Sequence, residues 1–151
     1  MSKIQEIEDI FNIFHDGTID DIVIQSDKID LLIEIQYLAE LIDKKFEFFN
    51  LKLTGVELIE YDAWTDNSYK LTNWREIFEL GISIINTETD SSGNVVVHSN
   101  CFDAPNDLFE GGNLIIKCRD YELFDELKNP ITIERLKELS TFYWNEKFEK
   151  K

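Results

Sequence analysis

The sequence predicts an α+β fold: a mostly antiparallel, meandering β-sheet of six to eight strands flanked by a short N-terminal helix and a longer C-terminal helix. Three observations carry this. Apolar residues recur at three- and four-residue steps only near the two ends of the 151-residue chain. Between them, β-rich runs alternate apolar and polar side chains and are punctuated by turn residues. The order is helix, strands, helix, without the regular strand–helix alternation of a parallel sheet. Hydrophobic residues are 43% of the chain and aromatics 13%, enough for a core that needs no disulfide or metal, so one domain over residues 1–151 is expected.

The first helix lies in "SKIQEIEDIFNIF", where Ile4, Ile7, Ile10, Phe11 and Phe14 form one face. Ser2 and Gln5 have capping-box spacing, and Gly17 stands where a helix stop needs a residue tolerant of positive φ. "TIDDIVIQ" and "KIDLLIEIQ" form a hairpin, with Ile29, Leu31, Ile33 and Ile35 on one face and Asp30 and Glu34 on the other. "YLAELID" is a turn or a single helical turn. "FEFFNLKLTGVELIEYDAW" supplies two strands broken at Thr54-Gly55.

The clearest hairpin is "ISIINTETDSSGNVVVHSN", with Ser92, Gly93 and Asn94 in its loop. "NLIIKCRDYELF" gives one or two more strands, and Gly111-Gly112 before it reads as a turn. Those glycines precede a strand rather than a helix, so they lack the amide cluster of a phosphate-binding loop. After Pro130, Thr132 is placed to cap the last helix. Leu136, Leu139 and Tyr143 form one stripe of it, with Trp144 and Phe148 on a second line beside them.

Net charge is −16, and residues 1–64 carry −10 of it, from 15 acids and 5 bases. Such a surface repels nucleic acid and anionic membrane and speeds encounter with basic partners. Solubility alone is the plainer reading of the same charge. No cationic run followed by an apolar core opens the chain, and no apolar run reaches a bilayer-spanning length. A cytoplasmic protein with reduced thiols is therefore expected.

Few residues are candidates for chemistry. His15-Asp16 suggests a metal-dependent phosphohydrolase, but that site needs further histidines, and the chain has only His15 and His98. The pair reads better as the corner after a helix, with His15 complementing the helix dipole. His98, Cys101 and Cys118 include a His-x-x-Cys spacing that zinc accepts, yet not the usual two close pairs. Cys118 reads as a small buried residue. No cofactor or metal is expected. Acid pairs such as Asp20-Asp21, Glu57/Glu60 and Asp125-Glu126 are too common among 31 acids to single one out. Trp64, Tyr69 and Trp74 fall in a polar segment, where they either cover an end of the sheet or serve as interface anchors.

Phe14-His15-Asp16-Gly17 with Ile19, the block from Ile33 to Leu41, and Tyr143-Trp144 together resemble a loose group of small acidic bacterial proteins. Some of these are similar to immunity proteins of polymorphic toxin systems. The resemblance implies an α+β fold and a toxin-neutralising role, and it assigns no functional residue. The expected function is a non-catalytic protein-binding module for a basic, nuclease-like toxin, with Asp20, Asp21, Asp30 and Glu34 as the contact acids and Trp64 and Trp74 as anchors. The alternative is a small hydrolase or ligand-binding enzyme using a carboxylate pair or His98 with Cys101.

Overall fold

A computed structural model describes residues 2–66 and 69–149, with side chains through Glu146. Helix α1 (Lys3–Ile13) leads into strands β1 (Thr18–Gln25) and β2 (Lys28–Glu34), one helical turn α2 (Gln36–Ala39), and strands β3 (Phe48–Thr54) and β4 (Leu58–Ala63). Then come a two-residue strand β5 (Lys70–Leu71), short helix α3 (Trp74–Phe78), strands β6 (Ile82–Thr89), β7 (Val95–Cys101), β8 (Gly111–Lys117) and β9 (Asp120–Phe124), and helix α4 (Ile133–Glu149). Among the described residues no helix is long and apolar enough to cross a membrane.

The α+β class and the two flanking helices agree with the sequence. The sheet has nine strands rather than six to eight, in the order β5-β4-β8-β7-β6-β1-β2-β3-β9, with every pairing antiparallel. The extra strand is β5, too short to leave a period-two signal.

It is not a plain meander either. β3 and β4 follow each other in the chain but do not pair; β3 pairs with β9, and β4 with β8. Each of these two segments bends through a corner, and the corners are tied together. Glu57 N donates to Lys117 O at 2.8 Å and Arg119 N to Thr54 O at 3.0 Å, while Val56 N reaches Asp27 O at 2.9 Å. Counting β3–β4 and β8–β9 as two bent strands, the ladders run through β7, β6, β1 and β2 and return, so the sheet curls back on itself. Within that ring the shortest ladder is β1–β6, paired at Thr18–Ser83 and Ile19–Ile82.

One apolar cluster fills the concave side. It takes Leu31 and Ile33 from β2, Phe49 and Leu51 from β3, Leu114 and Ile116 from β8, and Ile7, Ile10, Phe11 and Phe14 from α1. Ser2 caps α1 by accepting from Gln5 N at 3.1 Å. The second half of the expected capping box does not form, because the Gln5 side chain donates to Glu8 and Asp9 instead. Thr132 caps α4 as expected, accepting from Arg135 N at 3.1 Å. Leu136 and Leu139 bury the first stripe of α4. The Phe148 side chain lies outside the described residues.

Two glycine expectations change. At the end of α1 the left-handed residue is Asp16, at φ 73°, not Gly17. Gly17 is needed for space: a Cβ there would sit 2.8 Å from the Phe14 carbonyl oxygen and 3.2 Å from Ile33 Cγ2. Gly111-Gly112 is not a turn but the start of β8, opposite Asn100 and Ser99. A Cβ on Gly112 would meet Asp62 O and the Tyr61 ring at 2.6 Å, so only glycine lets β4 and Tyr61 close over it.

Candidate functional site: an acidic face beside an aromatic cleft

His15-Asp16 is a structural corner. His15 Nδ1–H donates to Asn12 O at 2.8 Å, and the ring stacks on Trp144 with centroids 5.5 Å apart. Its Nε2 lies 3.8 Å from Asp16, an ion pair only when the imidazole is protonated. Asp16 N donates to Ile84 O at 2.8 Å, tying the corner to β6.

His98 and Cys101 stand on opposite faces of β7, as an odd separation on a strand requires. His98 points outward, where its Nδ1–H donates to Asn113 Oδ1 at 2.8 Å and its Nε2 lies 3.4 Å from Glu88. Trp64 Nε1–H donates to the same Asn113 oxygen at 3.1 Å. Cys101 points inward, 2.7 Å from the hydroxyl of buried Tyr61. Cys118 is half-buried, as a packing residue would be, and its thiol is pushed up to about 11 by burial, with the charge of Asp120 adding. Among the described residues no three His, Cys, Asp or Glu side chains converge in a metal-binding arrangement.

Other carboxylate pairs are occupied. Glu57 and Glu60 face separate lysines, Lys117 at 3.7 Å and Lys70 at 3.5 Å. Asp125 is buried, and its carboxylate accepts from Leu127 N, Asn129 N and Asn129 Nδ2 to close the turn before α4.

Asp20 and Glu34 are different. After Thr18–Glu34 and Ile19–Ile33, the β1–β2 register shifts by a bulge between Ile19 and Asp21. Asp20 lies in that bulge, two residues past the Thr18–Glu34 pair, and its carboxyl group is near enough to hydrogen-bond Glu34 when one of the two carries a proton. Glu34 is held above the usual carboxylate range, first by that bond, then by the charge of Asp20, and less by desolvation and by Glu47. Asp21 and Asp30 continue the face along the hairpin: Asp21 lies opposite Leu32, and Asp30 opposite Val23 and Lys52.

Beside Glu34 opens a cleft of about 660 Å³ whose walls include Asp16, Glu40, Tyr37, Tyr143 and Trp144. α4 brings the last two here: Tyr143 stacks on Tyr37 at 4.3 Å, and Trp144 meets Tyr37 edge-on at 6.2 Å. The Tyr37 hydroxyl donates to His15 O at 3.2 Å and is pushed up to about 12 by burial, with the charge of Asp16 adding. It therefore stays neutral at physiological pH.

The structure thus brings Asp20, Asp21, Asp30 and Glu34 onto one outward face. It leaves the expected anchors elsewhere. Trp64 covers the start of β8, and Trp74 opens α3 and packs against the core. The aromatics that flank the acids are Tyr37, Tyr143 and Trp144. Their helical spacing was visible in the sequence, but nothing there indicates that α4 returns to α2. Comparison of the chain with protein-family models, with curated proteins and with solved structures finds no match.

Proposed function

We propose that this chain is a non-catalytic binding protein that presents the β1–β2 acids and the adjoining aromatic cleft to a basic protein partner, as an immunity protein does to a nuclease-like toxin. The observation that carries the reading is the Asp20–Glu34 contact. Two exposed carboxyl groups held together repel once both ionise, and a partner lysine or arginine relieves that repulsion while the rings beside it supply buried area. A toxin that grips phosphates offers such cations in its own cleft, and covering them excludes its substrate.

The test is association kinetics with any basic protein encoded beside the gene. Raising salt from about 0.05 to about 0.5 M should slow association by roughly tenfold or more, because charges further apart than a Debye length are screened. Reversing both charges (Asp20→Lys with Glu34→Lys) should abolish binding while leaving the fold intact. Tight binding indifferent to ionic strength would remove this reading.

A second reading assigns acid–base chemistry in a small hydrolase to Glu34, which lines the cleft and is held above the usual carboxylate range by neighbouring Asp20. It requires an activity that collapses in Glu34→Gln. The binding reading predicts no such activity.

A further inference from the structure

We propose that the outer edge of β1, from Asp21 to Gln25, is a strand-addition site that receives an extended cationic segment of the partner as a further strand of the sheet. This rests on the reading of a basic partner and adds the way it is held. β1 leaves β6 after Ile19, while its pairing with β2 continues to the two-residue turn at Ser26-Asp27. In a two-residue hairpin the flanking pair, here Gln25–Lys28, is hydrogen-bonded, and bonded and non-bonded pairs then alternate. Ile22 and Ile24 therefore turn their N–H and C=O groups away from β2, and among the described residues no strand lies on that side.

Among the described residues the edge carries only a stand-in. The Asp21 carboxylate accepts from the Ile22 N–H at 2.8 Å, where the carbonyl of a neighbouring strand would otherwise sit. At the start of the edge, beside Asp21 and Ile22, opens a cavity of about 460 Å³, reaching to α3 and the segment after β7. Its apolar side includes Ile22, Phe78 and Phe102, the last 66% exposed. Its charged rim has Asp20, Asp21, Glu79 and Asp103 against one cation, Arg75. A strand entering here alternates its side chains, one set toward the apolar wall and the other toward the carboxylates. Alternating apolar and cationic residues fit. A second copy of this chain does not, because it brings a like charge of −16 to an acidic rim.

The probe is a short peptide of alternating lysine and valine, compared with the same composition carrying D residues at irregular positions, which breaks the regular alternation of a strand. Amide hydrogen exchange is followed by NMR on the full chain. The L-peptide should slow exchange at Ile22 and Ile24 by about tenfold or more, and the mixed peptide should not. If both peptides bind without protecting those amides, strand addition is overturned and the basic-partner reading stands. If neither binds at low ionic strength, both fall. Protection that grows with protein concentration in the absence of peptide would give the edge to a second copy and overturn the proposal.

Discussion

Asn12 pairs its side-chain amide with the backbone of Thr87 in both directions: Nδ2 donates to Thr87 O at 3.0 Å, and Oδ1 accepts from Thr87 N at 2.8 Å. It thereby serves as the strand neighbour that β6 lacks beyond Ile84, where the chain preceding β1 is helix α1 rather than strand. Nearer the start of β1 the corner does the same, with Ile84 N donating to Gly17 O and Asp16 N to Ile84 O, both at 2.8 Å. Thr87 is buried, so replacing Asn12 with leucine strands two backbone groups away from water. Asn12→Leu should cost about 2 kcal/mol or more in urea denaturation, with the Thr87 amide exchanging faster. A change under about 0.5 kcal/mol would mean that water replaces the side chain without loss.

Asp16 and Gly17 make a second, paired prediction. Asp16 holds the left-handed conformation, so Asp16→Gly should be neutral or raise stability by up to about 1 kcal/mol. Gly17→Ala forces a Cβ against the Phe14 carbonyl and Ile33, and should cost about 1–3 kcal/mol. Thermal denaturation of the two variants decides it. The opposite order would mean that the corner has room for a Cβ at Gly17 and that Asp16 carries no backbone strain.

Local patterns account for what the sequence made legible. Alternation at Ile29, Leu31 and Ile33 marks a half-buried strand wherever that strand ends up, and Ser2 and Thr132 act within a few residues of themselves. What escaped depends on distant pairings. Thr54-Gly55 reads as a break between strands, yet whether the following strand folds back on β3 or crosses to β8 depends on the corner contacts with Lys117 and Arg119. Gly111-Gly112 carries the composition of a turn, and only the approach of Tyr61 and β4 explains it within a strand. The acidic face was partly legible, because Asp30 and Glu34 share strand parity. The β1–β2 register and its bulge, which decide that Asp20 neighbours Glu34, leave no mark in the spacing.

Inside the sheet, the Tyr61 hydroxyl lies 3.0 Å from Ser99 Oγ and 2.7 Å from Cys101 Sγ, and Ser99 also donates to Gly112 O at 3.2 Å. Tyr61→Phe removes the centre of this network and should cost about 1–1.5 kcal/mol, read by denaturation.

The thiols give a separate readout. Burial pushes Cys101 up, against the opposing hydrogen bond from Tyr61, and Cys118 reaches about 11. Both should alkylate more slowly at neutral pH than free cysteine, Cys118 by more than about tenfold. Rapid alkylation of Cys101, followed by mass spectrometry, would return it to the list of nucleophiles.

The Asp20–Glu34 contact fixes the direction of a pH effect. Folded Glu34 keeps its proton to higher pH than it does in the unfolded chain, so the folded state binds more protons across that interval. Stability from this contact is present at acid pH and is lost as pH rises through the raised Glu34 value toward neutrality. Glu34→Gln retains an N–H that donates to Asp20 but has nothing to ionise. The variant should therefore match the parent in mild acid and exceed it at neutral pH, with the difference growing as Glu34 ionises. The same substitution removes one charge from the binding face, so a more stable chain should hold its basic partner more weakly. Urea denaturation of both proteins at a series of pH values measures the first effect and association kinetics the second. A stability difference flat with pH would mean that the two carboxyl groups do not meet in solution, and the binding face would lose the repulsion that a partner's cation is argued to relieve.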